Sequence, residues 1–317
     1  MEFGLPSIKV LQLTNMPRRD CVIIGGGPAG LTAAIYLARF HLSVSVFDDG
    51  TSRAASIPVS HNHAGFPGGI NGRDLLDRMR RQAVQYGTDI RSTRVTALSG
   101  ESGDFVVSSP DGTLEARTIL LATGVTNREP DMSKEDHDGA LNRGLIRYCP
   151  VCDGFEVTDK RVAVIGTGSK ACNEAVFLRS YTSDITLLSP DADHALSASE
   201  LTLMHELGIT IVAGPLAYNV GVDAISIATF GARYSFDSVY PALGSKIRSE
   251  LAAGVGANLS PEGCITVDSH QQTDIAGLYA AGDVVVGLDQ ISHAMGQAGV
   301  AATTIRNDLG RIQTLVR

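Results

Sequence analysis

"DCVIIGGGPAGLTAAIYLARFHLSVSVFDDG", residues Asp20 to Gly50, decides the fold. Cys21 to Ile24 is an apolar run of strand length, and Leu31 to Phe40 has helical composition. Ser43 to Phe47 alternates as a second strand and runs into Asp48 and Asp49. Between the first strand and the helix, Gly25, Gly27 and Gly30 stand at G-x-G-x-x-G spacing, with Pro28 and Ala29 inside it. Gly25 permits the tight turn, Gly27 lets a pyrophosphate approach the backbone, and Gly30 lets helix and strand pack closely. The free N–H groups of the helix start then face the phosphates. An acid about 20 residues on takes a ribose hydroxyl, and Asp48 stands there. A glycine turn alone is a weak signal; strand, turn, helix, strand and acid in order predict a bound dinucleotide.

Two later strands extend the pattern. "ILLATGV" (Ile119 to Val125) runs through Ala122 into Thr123 and Gly124, and "GLYAAGDV" (Gly277 to Val284) ends at Gly282 and Asp283. This order resembles the flavoproteins with two dinucleotide domains. The resemblance implies FAD, with the Ala-Thr-Gly strand closing its domain and Asp283 on the ribityl chain. Between these strands, "KRVAVIGTGSKACNEAVFLRSYTSDITLLSP" repeats the βαβ pattern. Strands are expected at Arg161 to Ile165 and Asp184 to Leu188, around a G-x-G-x-x-A turn with Gly166, Gly168 and Ala171. The expected fold is α/β, with two Rossmann-like dinucleotide-binding domains, the second inserted into the first. Residues 18–127 plus 242–317 form the FAD domain, 128–241 the inserted nucleotide-binding-like domain, and 1–17 an extension. "TNREPDM" and "YPALGS" carry the turn residues of hinges.

The 317 residues are 44% hydrophobic and 19% charged, which suits a soluble α/β protein. A net charge of −8 argues against a nucleic-acid surface, which needs clustered Lys and Arg. No apolar run reaches the roughly 18 residues of a membrane span, and the opening segment lacks the pattern of a secretion signal. Five scattered cysteines do not make a disulfide framework, so a reducing cytoplasm is the expected setting. Cys21, Cys172 and Cys264 sit by apolar stretches and read as small buried hydrophobes.

Cys149 and Cys152 are different. They stand in "RYCPVCDG" (Arg147 to Gly154), inside the insert and just before its first strand. Cys-x-x-Cys can be half a zinc site, an accident of composition or a redox dithiol. No second Cys-x-x-Cys and no His-x₃₋₅-His accompanies it, so no metal is expected. A thiolate is the attacking species in disulfide exchange, and Asp153 stands ready to hold a proton for a departing or returning sulfur.

Placement, motif order and the phrase "CPVCDG" resemble the low-molecular-weight thioredoxin reductases, over nearly the whole chain from Asp20. "HNHAGFPGGINGRDLLDRMRRQAVQYG" (His61 to Gly87) is similar to that family's flavin-facing loop and helix. "QISHAMGQAGVAATTI" (Gln290 to Ile305) is similar to its flavin-covering C-terminal helix. The resemblance implies a homodimeric FAD-dependent disulfide oxidoreductase with a thioredoxin-like partner. Cys152 would be the flavin-proximal sulfur, Cys149 the attacking one and Asp153 the general acid. His61, Asn62, Gln290, Ile291 and His293 are expected at the flavin, although Ser292-His293-Ala294 stands where the family commonly has Arg-Gln-Ala.

The resemblance breaks at the second nucleotide. NADPH-dependent members follow their second strand with an arginine cluster for the 2′-phosphate. Here Ser189-Pro190-Asp191-Ala192-Asp193 follows, and Ser180 through Ala232 holds no Lys or Arg. Hydrogen bonds to charged groups contribute about 1.5–3 kcal/mol each, so NADPH is not expected. A second FAD or NADH remains open, as does ferredoxin as electron donor. Both alternatives have precedent among ferredoxin-linked and diflavin-linked relatives. The other readings are an NADH-linked disulfide reductase, a small-molecule dithiol oxidase and a flavin redox sensor without turnover. Dithiol oxidases typically carry His at the Asp153 position, which counts against that role.

Overall fold

The structure, a computed structural model, describes residues 18–312 and 315. The N-terminal extension expected over residues 1–17 lies outside the described residues. The first βαβ unit is β1 (Arg19–Ile24), α1 (Pro28–Arg39) and β2 (Val44–Phe47), followed by α2 (Gly72–Gln85) and β3 (Asp89–Arg91). A meander of β4 (Ala97–Ser99), β5 (Phe105–Ser109) and β6 (Gly112–Leu121) follows. Then come β7 (Val125–Asn127), α3 (Lys134–Asn142) and the single-turn α4 (Pro150–Asp153). The second βαβ unit is β8 (Val162–Ile165), α5 (Gly168–Leu178) and β9 (Ile185–Ser189), continued by α6 (Ala198–Glu206) and β10 (Thr210–Ala213). The strands β11 (Ala217–Val220), β12 (Ile225–Thr229) and β13 (Ala232–Phe236) form an antiparallel sheet. The chain closes through β14 (Ser238–Pro241), β15 (Ser245–Ile247), α7 (Glu250–Gly254), β16 (Leu278–Ala280) and α8 (Ile291–Ile312).

The first sheet runs β3-β2-β1-β6-β5-β4, with β16 also on β6. β1, β2, β3, β6 and β16 pair in parallel, and β4 and β5 add an antiparallel flank. Its last strand, β16, comes from beyond residue 277, whereas the others lie before residue 122. The parallel sheet β10-β9-β8-β14 comes from the residues between. At the crossings, β7 and β15 pair with each other antiparallel.

Alanines decide how closely α1 and α8 approach. Ala33, Ala34, Ala298, Ala301 and Ala302 are fully buried in one cluster with Ile23, Leu37 and Leu120. Short side chains bring the helices close, and the larger neighbours supply most of the burial, about 2 kcal/mol per enclosed Leu or Ile. A second cluster of Val, Ile, Leu and Phe covers the opposite face of the same sheet. Covering both faces explains why β1 and β2 read as continuous apolar runs.

The structure moves several expected boundaries. α1 begins at Pro28, before Leu31, because proline's fixed φ suits the first helical position. β6 begins at Gly112 and stops at Leu121 rather than running to Val125. The strand expected over Gly277 to Val284 narrows to Leu278–Ala280, flanked by Gly277 and Gly282 in left-handed conformations. Cys21 and Cys172 are buried as expected, while Cys264 is only partly so.

Candidate active site

The first glycine turn forms one wall of a cleft of about 360 Å³, a volume within the range of small-molecule sites. Gly25 has φ +116°, open in practice only to glycine, and a Cβ there would collide with the Ala122 carbonyl. Gly27 N-caps α1 without a side-chain bond to its first N–H groups. Gly26, Gly27, Pro28 and Ala29 line the cleft there. An uncapped helix start behind a turn that excludes side chains fits a pyrophosphate. Gly30 packs beneath the Gly25 carbonyl, outside the cleft.

Asp48 and Asp49 line the same cleft at the end of β2. Asp48 is 5% exposed; its Oδ1 accepts from the Gly50 N–H at 2.9 Å and its Oδ2 pairs with Arg80. Ala122, Thr123 and Gly124 enter from the end of β6, and Gly282 and Asp283 from the end of β16. Arg53 pairs with Asp283 at 3.2 Å and with Asp289 at 2.8 Å. Burial, and then the Asp289 charge, pushes the Asp283 carboxyl up, with Arg53 opposing.

The dithiol closes the far side. Cys149 caps α4, Pro150 takes its first position, and Cys152 sits one turn on. That turn brings the two Cα atoms to 5.2 Å, and the sulfurs are joined as a disulfide. Asp153 accepts from Arg147 at 3.0 Å and from the Tyr240 hydroxyl at 2.9 Å. Burial pushes the Asp153 carboxyl up, against the pull of Arg147 and Tyr240. Gln290, at the start of α8, donates from Nε2 to both sulfurs at 3.2 Å. Asn62 donates to Gln290 Oε1 at 2.9 Å.

The fold therefore brings Cys149, Cys152 and Asp153 together with the first glycine turn, Asp48, Asp49, His61, Asn62, Ala122–Gly124, Gly282, Asp283, Gln290 and Ile291. His293 is not among the lining residues. It is exposed beside Gly287, flanking the buried stripe of Ala294, Ala298 and Ala301 on α8. His63 stacks on Phe66, away from the lining.

The second turn, Gly166, Gly168 and Ala171, lies outside this cleft. Its surroundings are the chain's own. The Gly168 N–H donates to the His194 carbonyl at 2.7 Å. The Ser189 hydroxyl donates to the Asp193 carbonyl at 2.8 Å and accepts from the Asp191 N–H at 3.0 Å. Contact with the Ser169 hydroxyl, joined by the Ser197 cap, holds the Glu200 carboxyl below its usual range. A carboxylate thus stands at the start of α5, where its charge repels a phosphate.

Nothing in the sequence marks Arg53, Asp289, Arg147 or Tyr240 as site residues. Tyr240 lies 87 residues from Asp153, and nothing in its local pattern separates it from a core tyrosine.

Residues 19–298 match the family described as pyridine nucleotide-disulphide oxidoreductase. A thioredoxin reductase of Mycolicibacterium smegmatis is 32% identical over 286 residues, covering 86% of this chain and 90% of its own. The solved thioredoxin reductase of Streptococcus pyogenes MGAS5005 is 25% identical with a TM-score of 0.84, over 93% of this chain and 99% of its own. The atypical thioredoxin reductase TRi of Desulfovibrio vulgaris Hildenborough is 32% identical with a TM-score of 0.53, over 92% of this chain and 98% of its own. No described helix is long and apolar enough to cross a membrane. With a family match across most of its length, a Rossmann-like α/β fold and a Cys149–Cys152 pair, the chain belongs to the pyridine nucleotide-disulphide oxidoreductases, as a flavoprotein disulfide oxidoreductase of the thioredoxin-reductase type.

Proposed function

We propose that the protein is an FAD-dependent thiol–disulfide oxidoreductase that exchanges electron pairs between flavin, the Cys149/Cys152 pair and a thioredoxin-like protein, without NADPH as donor. The observation that carries this reading is the shared cleft: the dithiol stands across from the glycine turn and Asp283. Residues 18–127 plus 242–317 hold the FAD and 128–241 present the dithiol. The pyrophosphate rests on Gly25, Gly27, Pro28 and Ala29, with Gly30 supporting the turn, and a ribose meets Asp48 beside Asp49. Asp283 takes the ribityl chain, while Ala122–Gly124, Gly282, His61, Asn62, Gln290 and Ile291 enclose the remainder. Bound flavin supplies two-electron chemistry. Cys152 is the flavin-proximal sulfur, Cys149 attacks the partner's disulfide, and Asp153 holds the proton that one sulfur gives up or takes back.

The donor reading is supported by the arginine-free stretch after β9 and by Glu200 at the start of α5. NADH or a second FAD at Gly166, Gly168 and Ala171 has to displace the His194 carbonyl from the Gly168 N–H. Ferredoxin is the alternative donor class. A homodimer in a reducing cytoplasm belongs to the same reading.

Anaerobic titration of the purified protein, followed by flavin absorbance, is the test. Dithiothreitol is expected to bleach the flavin through the dithiol, and NADPH to leave it oxidised. Stoichiometric bleaching by NADPH overturns the donor assignment. Protein that carries no flavin, or whose bleaching by dithiothreitol survives Cys149→Ser, overturns the whole reading.

A further inference from the structure

We propose that Gln290 is a catalytic residue of the dithiol: its side-chain amide, oriented by Asn62 and Ser60, holds both sulfurs and stabilises the negative charge left when the disulfide opens. The inference rests on the redox reading of Cys149 and Cys152 above and assigns Gln290 to sulfur in addition to the flavin. A primary amide has two N–H donors on one nitrogen. Here one nitrogen reaches both sulfurs, Cys149 Sγ and Cys152 Sγ, at 3.2 Å each. Disulfide sulfur accepts weakly, so such a contact does little for the oxidised state. Opening the S–S bond with two electrons and one proton from reduced flavin gives one thiol and one thiolate. The hydrogen bond to thiolate is charge-assisted and correspondingly stronger.

The orientation of the amide is fixed from behind. The Val151 carbonyl can only accept, so the Asn62 atom facing it at 3.4 Å must be Nδ2, the donor. That same Nδ2 donates to Gln290 Oε1 at 2.9 Å, which turns Gln290 Nε2 toward the sulfurs. Asn62 Oδ1 in turn accepts from the buried Ser60 hydroxyl at 3.1 Å. Every donor in the chain Ser60, Asn62, Gln290 points toward sulfur, and hydrogen bonds aligned in series polarise one another. Rotating Gln290 by half a turn would set its oxygen against the sulfurs and two N–H donors against each other. The clamp also crosses between the parts of the protein, because Ser60, Asn62 and Gln290 come from one side of the linkers and Cys149, Val151 and Cys152 from the other.

The other charged or titratable groups lining the cleft are Arg143, Arg147, Tyr148, Asp153 and Glu156 on the dithiol side, and Asp48, Asp49, Arg53, His61, Arg248, Asp283 and Asp289 on the flavin side. All remain in place when only residue 290 is changed.

The experiment uses reduced, FAD-loaded full-length protein. Iodoacetamide alkylation at Cys149 and Cys152 is followed by mass spectrometry against pH, and the long-wavelength thiolate-to-flavin absorbance is recorded alongside. Gln290→Leu is expected to raise the apparent pKa of the more acidic thiol by about one unit, a tenfold lower thiolate fraction equal to about 1.4 kcal/mol. Gln290→Glu, of the same shape but presenting a carboxylate, is expected to raise it further. Asn62→Leu is expected to give a smaller rise. FAD content and the melting curve identify any variant that fails to fold, and the order Gln, Leu, Glu can be read from those that do. Identical alkylation curves for wild type and the folded position-290 variants overturn the clamp alone. A wild-type protein with no reducible Cys149–Cys152 pair overturns both the clamp and the function it rests on.

Discussion

A carboxyl that gives and takes a proton beside sulfur works best with a pKa nearer the working pH than free aspartate has. Burial moves Asp153 that way, while Arg147 and Tyr240 pull it back. Acting as an acid, Asp153 is competent while protonated, so turnover should fall as the pH rises through its raised pKa. Tyr240→Phe removes the 2.9 Å donor to Oδ1 that favours the charged form, and the falling limb should move to higher pH. Asp153→Asn should lose that limb and about 10²-fold in turnover. Profiles of kcat/KM against pH for the three proteins decide it: a limb that survives in Asp153→Asn belongs to another group. "CPVCDG" made the dithiol legible because Cys-x-x-Cys on a helical turn sets the two sulfurs side by side. Tyr240, which holds Asp153 from β14, was not legible, since β14 meets α4 only through the folding of the whole insert; Arg147 stands six residues before Asp153, but no local pattern says that the chain turns it back onto that carboxylate.

Helix α5 shows the same limit at the scale of an element. Its glycine turn, its strand neighbours and the buried face of Ala171, Cys172, Ala175 and Leu178 follow from helical periodicity. What the turn touches does not: the Gly168 N–H bound to His194 and the Glu200 carboxylate against Ser169 depend on a loop whose path no local pattern encodes. The first turn is legible more fully, because the constraints on Gly25 and Gly30 are steric and close at hand. α5 also carries Glu174, whose enclosed Oε1 has no hydrogen-bond partner among the described residues. Burial pushes its carboxyl from 4.5 up to about 7, with Lys170 opposing and Asp153 adding to the rise. In the unfolded chain it titrates near the ordinary value, so between about 4.5 and 7 the folded state holds the extra proton. Stability therefore falls as the pH rises through that window, by up to about 3 kcal/mol. Glu174→Gln keeps the shape and removes the charge. It should match wild type near pH 4.5 and exceed it near pH 8, as read from urea midpoints. Equal midpoints at both pH values would show that Glu174 ionises without strain.

At the scale of the molecule, the dithiol's own position poses a difficulty. Cys149 and Cys152 are partly buried in the cleft against Gln290, which hinders a partner protein from bringing its disulfide to them in this arrangement. The crossings offer a way out. Each dinucleotide strand leads to a glycine in left-handed conformation, Gly124 at φ +65° and Gly244 at φ +86°, beside the β7–β15 ribbon. Along the chain, residues 128–241 enter and leave beside this ribbon. Similarity to known structures points the same way. The Desulfovibrio protein is the more identical of the two described above, at 32%, yet has the lower TM-score, 0.53 against 0.84, over almost the same coverage. A different placement of two similar bodies accounts for that inversion. If the insert turns on its linkers to expose the sulfurs, the turn is a diffusive motion of a whole domain and is slowed by solvent friction. With a saturating thioredoxin-like protein, kcat should then fall in proportion to viscosity as sucrose is added. With a small disulfide that enters the cleft directly, kcat should stay constant under the same conditions. Comparing the two substrates separates domain motion from any effect of sucrose on the chemistry, which both share. A kcat indifferent to viscosity with the protein substrate would mean that the turn is not rate-limiting or that the partner reaches the sulfurs without it. Substrates tethered to the surface by a long flexible linker would distinguish these two cases, since only an open path lets a tethered disulfide react at the rate of a free small one.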